Sequence, residues 1–245
     1  MSTLLFEASD GIATLTLHRP EKRNAYTTEM GDAIVEAFAA IREDAAIRAV
    51  IVCGAGKGFC AGVDLEALRT QATSSAGGRP LGEEDFLRKW PLEMLSFPKP
   101  VIAALHGAAV GVGVTMTLPF DFRVAAEGAR FALPFVKLGI LPGLGSTHLL
   151  PRIVGRGAAL DLVLSGRTID AAEALRIGLV HRVVPDGELT ASAREIALGL
   201  AQCKPEVLAA ARQLIGFGAE ASMEEAMANE QRESRALREK RSPGD

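Results

Sequence analysis

The sequence is poor in aromatic residues and in cysteine, and it has no long apolar run. Aromatic side chains make up 5% of the 245 residues, with one Trp and one Tyr. The three cysteines (Cys53, Cys60 and Cys203) have no metal-ligand spacing, and their odd number argues against a disulfide framework. No apolar run approaches the ~20 residues of a membrane-spanning helix, and the N-terminus lacks a basic flank followed by an apolar signal core. We therefore predict a protein of the reducing cytoplasm without a metal site or a membrane partner.

The sequence also lacks a strong excess of charge of either sign. Its formal net charge is −3 at pH 7, which gives no electrostatic reason to expect nucleic acid as a partner. With 48% hydrophobic and 23% charged residues, the chain has enough apolar surface for a substantial core. Its length suits one large domain, or one domain with an appendage.

Among the features that are present, the stretch Val101–Asp121 is the most informative. Five apolar residues at 101–105 predict a buried strand, and Gly111 and Gly113 follow before a second apolar run. Glycines between a strand and a helix allow a tight turn and leave the first helical N–H groups without intrahelical partners. Such N–H groups suit an oxyanion or a phosphate, although the same pattern also occurs as a simple packing turn.

A second strand–glycine–helix turn occurs earlier in the chain. The predicted strand Arg48–Cys53 leads into a glycine-rich loop over residues 54–65. This loop is not a phosphate-binding P-loop, because Lys57 is followed by Gly58 and not by Ser or Thr. It does not fit a Rossmann fingerprint either, since it does not open a repeated βαβ series. Two turns that each present a backbone N–H group are what an oxyanion hole requires.

The remaining pattern predicts an α/β chain whose C-terminal part is helical. Thr28 is expected to cap a helix that runs to Glu43. After Gly155 we expect mainly helices, and the last of them, over 222–240, has a thin apolar stripe that suits a surface or a neighbouring subunit. The other predicted elements are a hairpin over 4–17, a mobile loop over 71–80, a helix over 83–95 and short strands at 121–125 and 130–133.

Seven segments of the chain, taken together in order, form a pattern that is more specific than any one of them. They are HRPEKRNA, RAVIVCGAGKGFCAGVDL, VIAALHGAAVGVG, DFRVA, RFALP, LGILPGLGSTHLLPRIVG and GLVHRVV. Together they resemble the crotonase superfamily, the enoyl-CoA hydratase/isomerase fold, over nearly the whole chain, and FCAGVDL and the turn at 111–113 are their most specific parts. The resemblance implies a spiral of ββα units over residues 1–190 and a C-terminal helical region over 191–245 that builds trimers or dimers of trimers.

The resemblance also implies a substrate and a set of site residues. The family binds acyl-CoA thioesters without a further cofactor, and two backbone N–H groups hold the thioester oxygen. Carried over, these donors are Val63, after Gly62, and Val112, after Gly111. They fit the chemistry, because removal of a proton α to the thioester puts negative charge on that oxygen. The residues that the resemblance places around the substrate are Arg23, Ala25, Ala61, Gly62, Asp64, Leu65, Gly111, Phe135, Pro142 and Gly143.

The sequence departs from the family at the acid/base positions. Hydratases of the family carry one glutamate shortly after the turn that corresponds to residues 111–113 and another after the proline of the RFALP segment, where this chain has Thr115 and Phe135. Isomerases carry an acid after the proline of a third glycine turn, which corresponds to residues 138–145 here, and at that position this chain has Gly143. A threonine hydroxyl does not act as a base near neutral pH without a base of its own. These departures argue against hydration by two glutamates.

Other polar side chains could supply a proton, but each has a simpler structural interpretation. We favour a structural role for His106 and for His148, and a solvated helix face for the acidic residues at 83–85. Asp64 lies beside a predicted donor, and its carboxylate is expected to cap the helix that follows.

Five further features have similar alternatives. Cys60 and Asp121 are interpreted as structural, and core packing is favoured over a substrate channel for Tyr26 and Trp90. The basic loop 19–23 is either a contact for coenzyme A, with Arg23 as its best candidate, or an ordinary solvated surface.

Two functions therefore remain open. The favoured one is an enoyl-CoA hydratase or isomerase that stabilises a thioester enolate and moves protons through the substrate, through water or through an acid from the loop region before residue 86. The alternative is a catalytically degenerate acyl-CoA-binding subunit. Because Thr115 replaces a family glutamate, the sequence favours binding of an acyl-CoA enolate over any one reaction on it.

Overall fold

A computed structural model of the protein describes residues 2–70 and 80–239. The strands are β1 (Leu4–Ser9), β2 (Ile12–Leu17), β3 (Ala49–Gly54), β4 (Val101–Leu105), β5 (Ala108–Val110), β6 (Phe122–Ala126), β7 (Arg130–Ala132), β8 (Thr168–Asp170) and β9 (Arg182–Val184). The helices are α1 (Thr28–Glu43), α2 (Leu65–Thr70), α3 (Asp85–Arg88), α4 (Trp90–Leu95), α5 (Val112–Thr115), α6 (Ser146–Ser165), α7 (Ala171–Arg176), α8 (Leu189–Ala201), α9 (Pro205–Gly218) and α10 (Met223–Glu239).

The larger of the two sheets has six strands in the order β1-β2-β3-β4-β6-β9. Only β1 and β2, the predicted hairpin, are antiparallel; the other neighbours are parallel. All five residues of β4 are buried, as its continuous apolar sequence predicts for a strand that is covered on both faces. The expected α/β class is confirmed.

The second layer contains the sheet β5-β7-β8, and short bridges extend it. Cys60 pairs with Ala109, and Tyr26 pairs with Val63, so the chain returns to this layer after β2, after β3, after β4 and after β6. Each return is followed by a helix. The predicted ββα repeat is therefore confirmed, and it brings the segments that follow successive strands side by side.

Two local predictions are corrected by the structure. The N-cap of α1 is Thr27 and not Thr28, because the Thr27 hydroxyl accepts a hydrogen bond from the N–H of Met30 at 3.3 Å. The helix predicted over 83–95 is two helices, α3 and α4, and Pro91 lies in the first turn of the second. Proline suits that position because it has no N–H group to pair. The loop predicted over 71–80 lies outside the described residues except for Pro80.

The C-terminal helices differ in how they contact the sheet. Helix α8 packs against it through Leu189, Ala193 and Ala197, whereas α10 has no buried residue. The predicted division of the chain at residues 190 and 191 stays a prediction. Across residues 2–70 and 80–239, none of the helices combines the length and the apolar content that a bilayer crossing requires.

Candidate functional site

The turn between β5 and α5 presents an unpaired backbone N–H group. Gly111, at φ 53° and ψ −114°, lies in a region of backbone space that only glycine enters readily, and it is the N-cap of α5. Val112 is the first helical residue, so its N–H has no carbonyl of the same helix to bond. No described residue accepts a hydrogen bond from it.

The turn between β3 and α2 presents a second unpaired N–H group. The N–H of Tyr26 donates to the carbonyl of Gly62 at 2.7 Å, and the N–H of Asp64 donates to the carbonyl of Tyr26 at 2.9 Å. This pairing places the N–H of Val63, which lies between them, on the opposite side of the strand. Within the described part of the chain the Val63 N–H makes no hydrogen bond.

Main-chain hydrogen bonds hold these two turns against each other. The N–H of Cys60 donates to the carbonyl of Ala108 at 3.0 Å, and the N–H of Val110 donates to the carbonyl of Cys60 at 2.9 Å. The approach is close enough to require glycine at Gly113, where a Cβ would lie 2.6 Å from the carbonyl oxygen of Cys60. We call residues 60–63 and 110–113 the donor floor.

The donor floor forms one wall of a cavity of about 580 Å³. Ten of the residues selected from the sequence line it: Ala61, Gly62, Val63, Leu65, Gly111, Val112, Thr115, Phe135, Pro142 and Gly143. Eight further lining residues belong to two segments, 81–87 and 138–144, or to the neighbouring helix and strand: Leu68, Leu81, Gly82, Leu87, Val110, Leu138, Ile140 and Leu141. Tyr26, Pro134 and Leu144 complete the wall. We call the segments 81–87 and 138–144 the roof.

The cavity wall is almost entirely apolar. None of the described residues that line it is acidic, basic or a histidine, and its only side-chain hydroxyls are those of Tyr26 and Thr115. Thr115 is 1% exposed, and its hydroxyl makes no hydrogen bond with any described residue. The wall can therefore bind an apolar group and polarise an oxygen at the donor floor, but its described residues offer no carboxylate that could act as a base.

Three of the selected residues do not line the cavity. Arg23 is exposed on its loop, and the Ala25 carbonyl accepts a hydrogen bond from Arg19 at 2.6 Å. Asp64 forms an ion pair with Arg19 at 3.0 Å and caps α2 through the N–H of Glu66, as expected for a capping residue.

The environment of Asp64 keeps its carboxyl ionised. Burial alone would raise its pKa, but hydrogen bonds from Arg19 and from the backbone N–H groups of Glu66 and Ala67 outweigh burial, so the pKa lies below its ordinary value. Asp64 and Arg19 therefore neutralise each other's charge next to the donor floor. Arg19 is less available to contact coenzyme A than its place in the basic loop 19–23 indicates.

The two histidines and Asp121 have structural contacts away from the cavity. Nε2 of His106 lies 3.0 Å from the carbonyl oxygen of Gly56, and Nε2 of His148 lies 3.7 Å from Glu220. Asp121 accepts a hydrogen bond from the N–H of Val101 at 2.8 Å and pairs with Arg212. The structural interpretation of these side chains is confirmed.

Glu84 contradicts the solvated face expected for residues 83–85. It is 0% exposed, accepts a hydrogen bond from the Tyr26 hydroxyl at 2.6 Å, and accepts another from the N–H of Gly82 at 2.6 Å. Burial and the neighbouring Glu84 raise the pKa of Tyr26 far above its ordinary value, so the phenol stays a hydrogen-bond donor. The hydrogen bond between Tyr26 and Glu84 therefore connects the roof, which contains Glu84, to the donor floor, because the main chain of Tyr26 is bonded to Gly62. No pattern in the sequence relates these two residues, which are far apart along the chain.

Cys60 and Trp90 are core residues, as expected. Burial raises the pKa of the Cys60 thiol to about 12, so this residue of the donor floor stays protonated. Trp90 stacks on Phe86, with ring centroids 4.9 Å apart, and Phe86 in turn stacks on Tyr26 at 5.0 Å. This aromatic stack packs against the Tyr26 ring and so supports the Tyr26–Glu84 hydrogen bond.

Comparison with known proteins relates both the sequence and the fold to one group of enzymes. Residues 7–242 match a family model described as enoyl-CoA hydratase/isomerase. The chain is 38% identical to 1,2-epoxyphenylacetyl-CoA isomerase of Escherichia coli, over 82% of this chain and 77% of that protein. It is 40% identical to carnitinyl-CoA dehydratase of Salmonella arizonae, over 87% of this chain and 80% of that protein.

The solved structures give the same grouping. A putative enoyl-CoA hydratase from Streptomyces coelicolor superposes with a TM-score of 0.87 at 34% identity, covering 97% of this chain and 87% of that one. Similarity of this extent in both sequence and structure identifies a common family and not merely a shared architecture.

Proposed function

The chain belongs to the enoyl-CoA hydratase/isomerase family, and on that premise we propose that it holds the oxygen of an acyl-CoA thioester at the N–H groups of Val63 and Val112. The proposal rests on one observation: neither N–H group donates to a described residue, and the two belong to adjoining turns that line one cavity. Two such donors stabilise the negative oxygen that forms when the carbon α to the thioester loses a proton. Coenzyme A is then part of the substrate and not a separate cofactor.

The reaction that we propose is loss of the α proton of a 3-enoyl thioester to give an enolate, followed by delivery of a proton to the γ carbon, which moves the double bond to the position between the α and β carbons. In the donor floor, charge on the thioester oxygen is stabilised by preorganised dipoles, each worth about 10²–10³ in rate in comparable sites. Addition of water by two carboxylates is not supported, because Thr115 and Phe135 occupy the wall where acids would be needed. The proton moves to and from water or another atom of the substrate, and the unpaired Thr115 hydroxyl positions the group that exchanges it.

The test follows each step separately. Saturated acyl-CoA incubated in D2O reports enolate formation as deuterium uptake at the α carbon, and 2-enoyl- and 3-enoyl-CoA report hydration and double-bond migration. We expect α exchange and migration, with hydration at least tenfold slower. Rapid hydration without migration would contradict the proposed reaction, and the absence of all three activities would contradict catalysis.

A second candidate, an acyl-CoA-binding protein without turnover, is favoured by the same carboxylate-free wall. Calorimetric titration with a saturated acyl-CoA distinguishes the two candidates when it is combined with the exchange experiment. Tight binding with no deuterium uptake would select this second function.

We also propose that the protein assembles into trimers through its C-terminal helices. Ile215 on α9 and Met223 on α10 are 76% and 80% exposed, and Phe217 and Met227 add to the apolar surface beside them. A second copy of the chain would bury this surface. Light scattering coupled to size exclusion gives the mass directly, and a monomer at micromolar concentration would contradict the assembly.

A further inference from the structure

The size of the cavity limits the acyl group that would fill it. The volume of about 580 Å³ is about four times that of a 150 Å³ apolar cavity that holds a benzene molecule. A two- or four-carbon acyl group would leave most of this space empty, and apolar walls without contact atoms lose dispersion energy. The volume therefore suits a bulky acyl group.

The composition of the wall limits the charge of that group. The roof contributes Leu81, Leu87, Leu138, Ile140 and Leu141, and no described lining residue is charged. A carboxylate or a quaternary ammonium at the far end of the acyl group would lose its hydration without gaining a partner of opposite charge. An acyl group that ends in a charge is therefore disfavoured at this wall.

The position of the cavity relative to the donor floor gives the direction of the acyl group. Val63, Val112 and both segments of the roof line the same cavity. Leu141 is 86% exposed although it lines the cavity, which places it at the opening. An acyl group bound by its carbonyl oxygen at the floor would lie beneath the roof, with its far end among the apolar side chains and short of this opening.

We infer that the protein selects acyl-CoA thioesters with a large, uncharged, apolar acyl group, such as a medium-length alkyl chain or an aryl-substituted chain. This inference rests on the proposed function, because the donor floor is assumed to hold the thioester. It adds the class of substrate, which neither the family nor the donor floor determines.

The first test measures dissociation constants for a series of saturated acyl-CoA thioesters with four to ten carbons. Each methylene that enters the cavity should lower the Kd about fourfold until the cavity is full. Phenylacetyl-CoA should bind more tightly than butanoyl-CoA. Adipoyl-CoA, which ends in a carboxylate, and carnitinyl-CoA, which carries a quaternary ammonium, should each bind at least tenfold more weakly than hexanoyl-CoA.

A variant and its matched control locate the effect in the cavity. A Cβ at Gly143 would lie 3.6 Å from Cδ2 of Leu87, where the two roof segments meet, so Gly143→Val adds three carbons to the wall without a backbone clash. It should weaken decanoyl-CoA binding about tenfold or more and leave butanoyl-CoA within twofold. Gly199→Val, on the exposed surface of α8, adds the same atoms outside the cavity and should change neither value.

The outcomes separate this inference from the proposed function. Equal binding of free CoA and all acyl-CoA thioesters, or a preference for the shortest, would overturn the substrate class, and deuterium uptake at the α carbon would then still support the donor floor. Failure of every thioester to bind would overturn the proposed function itself. A Gly143→Val protein that folds and keeps its preference for long chains would show that the acyl group lies elsewhere.

Discussion

The donor floor and the roof of the cavity are held in place by different forces. Main-chain hydrogen bonds connect the floor, from Cys60 to Ala108 and from Val110 back to Cys60, and glycine at 113 permits the close approach. The roof is held mainly by side chains, through apolar contacts and through the Tyr26–Glu84 hydrogen bond. Main-chain hydrogen bonds depend little on which side chains are present, whereas side-chain packing changes with each substitution.

This difference predicts separate consequences for the two walls. Changes in the floor should affect the rate of enolate formation or the stability of the whole fold. Changes in the roof should affect which acyl groups bind. Four experiments, in order of decreasing expected effect, test this separation.

The largest effect is expected from removal of one donor. Val112 is the first residue of α5, a position that accepts proline, so Val112→Pro removes the N–H group with little change of backbone. The rate of α-deuterium exchange should fall about 10²–10³-fold. Val112→Ala keeps the N–H group and should stay within about threefold of the wild-type rate. A folded Val112→Pro protein with full activity would place the oxygen away from the floor.

The second experiment opens the floor by overpacking. Gly113→Ala places a Cβ 2.6 Å from the Cys60 carbonyl oxygen and 2.8 Å from its Cβ, and such overpacking costs about 1–3 kcal/mol. Urea unfolding should show this loss. Gly199→Ala, at an exposed position in the last turn of α8, should instead be neutral or slightly stabilising. Equal stability of the two variants would mean that the floor yields easily.

The third experiment weakens the roof. Tyr26→Phe leaves the buried Glu84 without its phenol donor, and a buried polar group that loses its partner costs about 1–3 kcal/mol. Binding of octanoyl-CoA should weaken several-fold, while binding of free CoA should not change. In a Glu84→Gln background the same substitution should cost less, because the two side chains act as a pair. Additive effects of the two substitutions would show that the hydrogen bond does not hold the roof.

The smallest effect concerns thiol reactivity and reports on the floor in the intact protein. Since alkylation requires the thiolate and burial raises the pKa of Cys60 to about 12, Cys60 should stay unlabelled by iodoacetamide from pH 7 to pH 10. The exposed Cys203 should react over the same range. Peptide mass spectrometry identifies the labelled residue. Labelling of Cys60 at the rate of Cys203 would contradict a closed floor, and Gly113→Ala should accelerate it.

The sequence predicted the floor better than the roof. Strand β4 and the glycine turns at 54–65 and 111–113 have local signals, namely a continuous apolar run and glycines before a helix. The roof segment 138–144 also has glycines before a helix, but no pattern in the sequence places its apolar side chains, or those of residues 81–87, over the floor. The prediction of one continuous helix over 83–95 was wrong, because two helices occur there, and the prediction of a solvated face was wrong at Glu84, which is buried.

By itself, the sequence determined the order of strands and helices, the two glycine turns, and the replacement of the family's acids by Thr115, Phe135 and Gly143. These are local properties, since they depend on residue type and spacing along a short stretch of chain. Only the tertiary structure decided that the two turns share hydrogen bonds through Cys60, that an apolar roof covers them, and that Glu84 is buried against Tyr26. The physical reason is that the winding of successive ββα units brings together segments that lie tens of residues apart, and no short-range pattern specifies which side chains then meet.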